Sequence, residues 1–134
     1  MSVVLDNSVA IAWIDHEEPA IDPTFETRVR EEGALVPALF YAEFSNALLT
    51  RVRRDRFSTN DVQRALDYLR TLPVTMSDDQ PSATNLAFIG KTCKLTGYDA
   101  WYLYLAVQYD LPLATRDEAL KEAAHSLGVE LIGT

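Results

Sequence analysis

Two aspartates follow short apolar runs that are typical of buried strands. Asp6 comes directly after Val3–Leu5, and Asp117 lies two residues beyond Thr115, where the apolar run from Leu111 ends. Functional residues of an open parallel sheet lie outside the carboxyl ends of its strands, so both aspartates are expected there. An aspartate that closes a buried strand has few structural roles, which favours a functional one for Asp6. Asp117 fits a functional site and the cap of the following helix equally well.

Two further acids lie on predicted helices. Glu43 stands within an apolar helix face, between Ala42 and Phe44, and fits either an exposed position or a buried functional one. Asp99 stands at the head of an apolar helix, where an isolated aspartate is best explained as the helix cap. The four acids are more informative together than singly, because the predicted sheet would bring all of them into one cleft.

A cluster of four carboxylates indicates metal-ion chemistry. The like charges repel, and the pKa of each carboxyl rises unless a cation is bound among them. Hard oxygen ligands favour Mg²⁺ or Mn²⁺ over zinc. Such ions polarise a phosphoryl oxygen and activate water for phosphodiester hydrolysis. The sequence after Asp6 has no glycine-rich phosphate loop, which weakens the NTPase and dehydrogenase classes.

The elements that must position these acids alternate along the chain. Strands are expected at residues 2–6, 34–37, 74–76, 111–115 and 129–132. Helices are expected at residues 8–14, 22–32, 38–54, 58–72, 77–95, 100–109 and 118–127. This alternation predicts an α/β fold, a three-layer α/β/α sandwich around a central parallel sheet of about four to five strands. Without repeats or linkers, residues 1–134 are expected to form a single domain.

Composition excludes several classes of protein. The net charge of −8 argues against a protein that coats nucleic acid, although a nuclease can meet phosphates through a bound metal ion. The single cysteine, Cys93, cannot form an intramolecular disulfide, and the two histidines give no zinc-binding spacing. No apolar run approaches the ~20 residues of a membrane span, and the start lacks the features of a signal peptide. A cytoplasmic protein is therefore expected.

Four motifs occur in order across essentially the whole chain. They are Val3–Ser8, Tyr41–Leu48, Thr96–Ala106 and Leu113–Asp117. Each is weak alone, but together they resemble the PIN-domain family. More narrowly, they resemble its VapC-type toxins, the ribonuclease halves of bacterial and archaeal toxin–antitoxin pairs. The resemblance implies a PIN-like α/β/α sandwich, Mg²⁺- or Mn²⁺-dependent endoribonuclease activity on RNA, a homodimer and inhibition by a small antitoxin protein.

The resemblance also implies roles for individual residues. By motif position, the metal-binding and catalytic acids are Asp6, Glu43, Asp99 and Asp117. Ser8 would assist at the metal or the phosphate, and Thr115 would orient the last acid. Three further residues are candidates for contacting the substrate: Arg116, Asn46 and Asn7. Arg116 could touch the scissile phosphate or simply pair with neighbouring acids.

The one basic cluster of this acidic chain consists of Arg51, Arg53, Arg54 and Arg56. Three interpretations stay open for this cluster. It could be a solvated helix C-terminus, where cations complement the dipole, an RNA-backbone contact, or a docking patch for an acidic partner. The aromatic residues Trp13, Trp101, Tyr102 and Tyr104 have apolar helical neighbours and are expected to pack in the core or in interfaces.

The leading hypothesis is thus a metal-dependent endoribonuclease that acts as the toxin of a toxin–antitoxin system. One alternative is a phosphatase with Asp6 as nucleophile, but such enzymes usually carry a second aspartate two residues later, where this chain has Ser8. The other alternative is a PIN-like interaction module that binds a partner without cutting. The acids retained at all four positions argue against it.

Overall fold

A computed structural model describes residues 2–133, and Met1 and Thr134 lie outside the described range. Within that range the strands are β1 (Val3–Leu5), β2 (Ala34–Val36), β3 (Val74–Met76) and β4 (Leu113–Ala114). The helices are α1 (Asn7–Ala12), α2 (Pro23–Glu32), α3 (Phe40–Arg53), α4 (Thr59–Thr71), α5 (Ala83–Cys93), α6 (Gly97–Gln108) and α7 (Glu118–Ser126). None of the helices in residues 2–133 has the length and apolarity to cross a membrane.

The four strands form one parallel sheet in the order β3-β2-β1-β4. This result confirms the predicted α/β sandwich. Both β1 and β2 are buried along their whole length, which explains why their sequences are apolar without alternation. The strand order reverses direction at β1, because β2 lies on one side of it and β4 on the other. Ligands of open parallel sheets bind at such a switch point, outside the carboxyl ends of the strands.

The strand expected at residues 129–132 is reduced to an isolated pairing between Leu113 and Leu131. Leu113 donates its N–H to the carbonyl of Glu130, and Ile132 donates to the carbonyl of Leu113. The segment therefore adds a single bridge beside β4 and not a full strand. The sheet has four strands among the described residues, the lower of the two numbers expected.

Two groups of helices have the most extensive mutual contacts. α1 packs with α3, whereas α6 packs with α5 and α7 and lies against β1 and β4. The inner face of α3 consists of Phe40, Phe44 and Leu48, spaced by one helical turn and all buried. Burying each of these side chains stabilises the fold by about 1.5–3 kcal/mol.

Two helices, α3 and α5, begin two or more residues later than their sequence patterns predict. α3 begins at Phe40 instead of residue 38, so Glu43 lies in its first turn. α5 begins at Ala83 instead of residue 77, because Ser82 is its cap and accepts a hydrogen bond from the N–H of Asn85. The shift in α3 matters for function, since the first turn follows the carboxyl end of β2.

Candidate active site

The pairing of β1 with β4 sets the position of Asp6. Val4 pairs with Leu113, Leu5 pairs with Ala114, and the N–H of Asp6 donates to the carbonyl of Ala114 at 3.0 Å. Asp6 therefore stands beside Thr115, one residue beyond each strand. The Thr115 hydroxyl donates to Oδ2 of Asp6 at 2.7 Å. Both side chains are buried.

A second hydroxyl donates to the same carboxylate oxygen. Ser8 Oγ lies 2.6 Å from Oδ2 of Asp6. Each hydroxyl also accepts a backbone hydrogen bond, Ser8 from the N–H of Arg116 at 2.9 Å and Thr115 from the N–H of Asp117 at 3.1 Å. Because each hydroxyl oxygen accepts a hydrogen bond from one of these N–H groups, its own proton is directed to Asp6. Ser8 and Thr115 thus fix one oxygen of Asp6, while Thr115 reaches the last acid only through its backbone.

Asp6 also occupies the N-cap position of α1, but its side chain makes no capping hydrogen bond. The next residue, Asn7, is half-buried. Its side-chain oxygen is buried and has no hydrogen-bond partner among the described residues. The start of α1 therefore places a carboxylate that does not cap the helix next to an unsatisfied amide oxygen.

Asp117 has a structural role beyond the carboxyl end of β4. It is the N-cap of α7, and its Oδ2 accepts a hydrogen bond from the N–H of Leu120 at 2.9 Å. The side chain is exposed. The two interpretations of Asp117, helix cap and site acid, are therefore compatible.

Asp99 lies in the first turn of α6 but is not its cap. The N-cap is Thr96, whose side chain accepts a hydrogen bond from the N–H of Asp99 at 3.1 Å. The explanation of Asp99 as a helix cap is therefore wrong. Its half-buried carboxylate is left free of that structural task.

Glu43 accepts a hydrogen bond from Tyr102, a residue whose sequence pattern predicts packing alone. The hydroxyl of Tyr102 donates to Oε1 of Glu43 at 2.5 Å, and Tyr102 is fully buried. Burial and the nearby charges of Asp6 and Glu43 raise the pKa of Tyr102 far above its usual range, so its hydroxyl stays a donor. One sequence signal was available: Tyr102 lies three residues after Asp99, on the same face of a helix.

The four acids form one electrostatic cluster. Burial raises the pKa of Asp6 and of Glu43, against the opposing hydrogen bonds from Ser8 and Thr115 to Asp6 and from Tyr102 to Glu43. Burial, followed by the charges of Asp117 and Asp6, raises the pKa of Asp99 to about 6. The charge of Asp117 also acts on Asp6, and the charges of Asp6 and Asp99 act on Glu43.

The donor chemistry of this cluster fits a hard divalent cation, because its side-chain donors are carboxylate and hydroxyl oxygens. The spacing is wider than direct ligation needs. Within residues 2–133, no three His, Cys, Asp or Glu side chains form a group that could hold a metal ion. The charge interactions among the acids and the lack of a ligating group are compatible. Charges interact over many ångströms, whereas a metal ligand must lie within about 2.0–2.6 Å of the ion. Holding an ion therefore requires the carboxylate of Asp99, which has no capping role, to turn toward the carboxylates of Asp6 and Glu43, which hydrogen bonds fix.

Replacing Asp99 with Asn is expected to stabilise the metal-free protein at neutral pH by about 1–2 kcal/mol. The pKa of Asp99 rises from 3.8 to about 6 on folding, so folding favours the protonated form. Ionised Asp99 therefore costs stability, and the cost grows as the pH rises from about 3.8 to about 6. Urea unfolding in EDTA should show the gain at pH 7.5 and little of it below pH 3.8. A variant less stable than the natural protein at pH 7.5 would contradict this prediction.

The other substrate candidates lie in different settings. Asn46 is exposed on α3, one turn after Glu43. The guanidinium of Arg116 donates through Nη2 to the carbonyl of Ala20 at 3.1 Å, while Nη1 is buried without a partner among the described residues. Arg116 therefore fastens the loop between α1 and α2 to the rim of the site.

The arginine cluster divides into two parts. Arg51 and Arg56 each donate to Oδ2 of the buried Asp15 at 2.6 Å. Burial acts to raise the pKa of Asp15, but the hydrogen bond from Arg51 and the charges of both arginines hold it below its ordinary value. Arg53 and Arg54 are exposed. Half of the cluster is thus part of the fold, and the interpretations left open by the sequence apply to the other half.

Comparison with known proteins agrees with this architecture. The PIN domain family matches residues 3–126, a range that includes all four acids. The crystal structure of PAE2754 from Pyrobaculum aerophilum is similar, with a TM-score of 0.71 and 24% sequence identity over 92% of this chain and 86% of that chain. At this identity the likeness shows the fold alone. No curated protein matches the chain. The chain belongs to the PIN-domain family, whose members are generally metal-dependent nucleases.

Proposed function

We propose that this protein is an Mg²⁺- or Mn²⁺-dependent endoribonuclease. The observation that carries the proposal is the position of Asp6 at the carboxyl end of β1, where the strand order reverses and where Asp6 interacts by charge with each of the other three acids. Membership of the PIN-domain family supports the nuclease class. The choice of RNA and the need for a metal ion belong to the proposal.

Each acid has its own part in the proposed site. The ion would be held by Asp6, Glu43, Asp99 and Asp117. When bound, a divalent ion supplies Lewis-acid chemistry, which polarises a phosphoryl oxygen and lowers the pKa of water. Ser8 and Thr115 keep Asp6 in a single orientation through their hydroxyl protons. Such preorganisation removes a reorientation cost from the reaction.

The surroundings of the acids supply candidates for substrate contact. Arg116 and Asn7 adjoin Ser8 and Asp6 in the fold, and each carries a buried side-chain atom without a partner among the described residues. A phosphate oxygen of RNA would accept a hydrogen bond from Nη1 of Arg116, and a sugar hydroxyl would donate one to the side-chain oxygen of Asn7. Asn46 lies farther out, exposed on the same helix as Glu43.

The test is RNA cleavage by purified protein freed of any bound partner. Total RNA and single-stranded DNA are incubated with the protein in MnCl₂, in MgCl₂ or in EDTA. We expect RNA fragments only with a divalent ion, and sequencing of their 5′ ends gives the cleavage sites. Failure to cut RNA with either ion would overturn the proposal. Equal cutting in EDTA would overturn its metal dependence.

We further propose that the protein acts in the cytoplasm as the toxin of a toxin–antitoxin pair, as a single-domain homodimer bound by a small antitoxin. Exposed apolar side chains on α5, α6 and the end of α7 support an interface there, among them Phe88 (69% exposed), Val107 and Leu127. Induced expression should arrest growth, and co-expression of any small protein encoded beside the gene should restore growth if that protein is the antitoxin. Undiminished growth with soluble, folded protein would contradict the toxin role.

One alternative is favoured by a specific observation. A PIN-like module that binds partners without cutting would tolerate acids spaced too widely for ligation, as they are in the described residues. Calorimetry with Mn²⁺ separates the two, since such a module is expected to bind no ion. The phosphatase alternative is weakened, because Asp6 is only 5% exposed and two hydroxyls occupy one of its oxygens.

A further inference from the structure

The hydrogen bond between Tyr102 and Glu43 joins two helices, α6 and α3, that are distant in sequence. Glu43 lies in the first turn of α3, which packs with α1. Tyr102 lies on α6, which packs with α5 and α7. The two residues are 59 positions apart in sequence. The contact therefore fixes an acid on one helix by a donor on another helix that is distant in sequence.

A buried tyrosine hydroxyl needs a polar partner, because burial without a hydrogen bond is costly. Phenylalanine would fill the same core space without that requirement. The partner in this case is a carboxylate whose charge is opposed by burial and by the neighbouring charges of Asp6 and Asp99. Packing alone does not explain a tyrosine at position 102.

The hydrogen bond from Tyr102 opposes the repulsion between Glu43 and the neighbouring acids. Asp6 and Asp99 act on Glu43 with like charge, and Glu43 is only half-buried. Without a donor on its inner side, the flexible glutamate side chain would be driven toward solvent and away from the other acids. Tyr102 binds Oε1 and leaves the second oxygen of the carboxylate for another ligand.

We propose that Tyr102 is a positioning residue, whose hydroxyl holds the Glu43 carboxylate toward the other acids in the orientation that binds a divalent cation. The inference rests on the proposed function of the site. Tyr102 contacts neither the ion nor RNA in this scheme and acts through Glu43 alone.

The first test is Mn²⁺ binding by Tyr102→Phe, measured by calorimetry. We expect the Kd for Mn²⁺ to rise about tenfold or more, as for other partners that orient a metal ligand. Cleavage at saturating Mn²⁺ should recover most of the natural rate, and the KM for RNA should stay unchanged. An unchanged Kd in the folded variant would overturn the inference.

Tyr104→Phe is a matched control on the same helix. The Tyr104 hydroxyl also binds a carboxylate, that of Asp79 at 3.0–3.1 Å, outside the acid cluster. Its loss should leave the Kd for Mn²⁺ unchanged. An equal loss of affinity in both variants would show a general effect on α6 and would overturn the inference.

A double-mutant cycle tests whether Tyr102 acts through Glu43. In a Glu43→Ala background there is no carboxylate to position, so Tyr102→Phe should change the Kd for Mn²⁺ no further. Fully additive effects would overturn the inference. If the natural protein binds no Mn²⁺, the proposed function and the inference fall together. If it binds Mn²⁺ and Tyr102→Phe binds it equally well, the inference alone falls.

Discussion

Replacing Asp6 with Asn is expected to reduce RNA cleavage by more than about 100-fold, because even partners that only support a metal ligand contribute about 10–100-fold. The substitution removes the charge but keeps an oxygen for the hydroxyls of Ser8 and Thr115, so the fold should survive. The initial rate of cleavage at saturating Mn²⁺ measures the effect. It is the largest change in activity that we expect from a single substitution.

The control for Asp6→Asn is Asp67→Asn on α4. Asp67 is exposed and pairs with Arg70 on the surface of its own helix, away from the acid cluster. Its substitution should leave the cleavage rate within about twofold, since exposed pairs contribute little. A rate above one-tenth of the natural value in folded Asp6→Asn would show that Asp6 is dispensable.

Replacing Asp15 with Ala is expected to lower the free energy of unfolding by about 3–5 kcal/mol, the cost of breaking a buried ion pair from one side. Asp15 is 2% exposed and is the shared acceptor for Arg51 and Arg56. Its loss leaves Arg51, whose side chain is 13% exposed, without its closest carboxylate. Urea unfolding followed by circular dichroism gives the difference.

Glu18→Ala supplies the comparison for Asp15→Ala. Glu18 pairs with the same Arg51 at 3.3 Å but is more exposed, so its removal should cost at most about 1 kcal/mol. Equal effects of the two substitutions would show that burial of Asp15 does not matter.

The Asp15 ion pairs also predict a pH dependence. The pKa of Asp15 is lowered in the folded protein, so its contribution is present above its ordinary pKa of 3.8 and is lost as the pH falls through the folded value. The difference in stability between the natural protein and Asp15→Ala should therefore shrink on acidification below about pH 4. A difference that grows in acid would contradict this assignment.

The fold could be predicted from sequence where local signals agree. β1 and β2 are buried on both faces, and such strands appear in sequence as unbroken apolar runs. The positions of Asp6 and Asp117 then follow from the rule that parallel strands carry functional residues at their carboxyl ends. The segment at 129–132 gave a similar local signal, but it lies beside the two-residue strand β4 and forms an isolated pairing.

The contacts within the site could not be predicted, because they depend on pairings between distant residues. The register of β1 against β4 brings Thr115 to Asp6 across 109 positions. Tyr102 has apolar neighbours that predict packing, and its hydroxyl meets Glu43 only through the placement of α3 against α6. The division of the arginine cluster likewise depends on Asp15, which is 36 positions from Arg51.

Calorimetric titration of Mn²⁺ into the metal-free protein tests most directly whether the four acids form one cation site. We expect saturable binding by the natural protein and none by the Asp6→Asn, Asp99→Asn double variant, with Asp67→Asn binding as tightly as the natural chain. Absence of binding to the natural protein, or equal binding to the double variant, would contradict the proposed metal-dependent ribonuclease site.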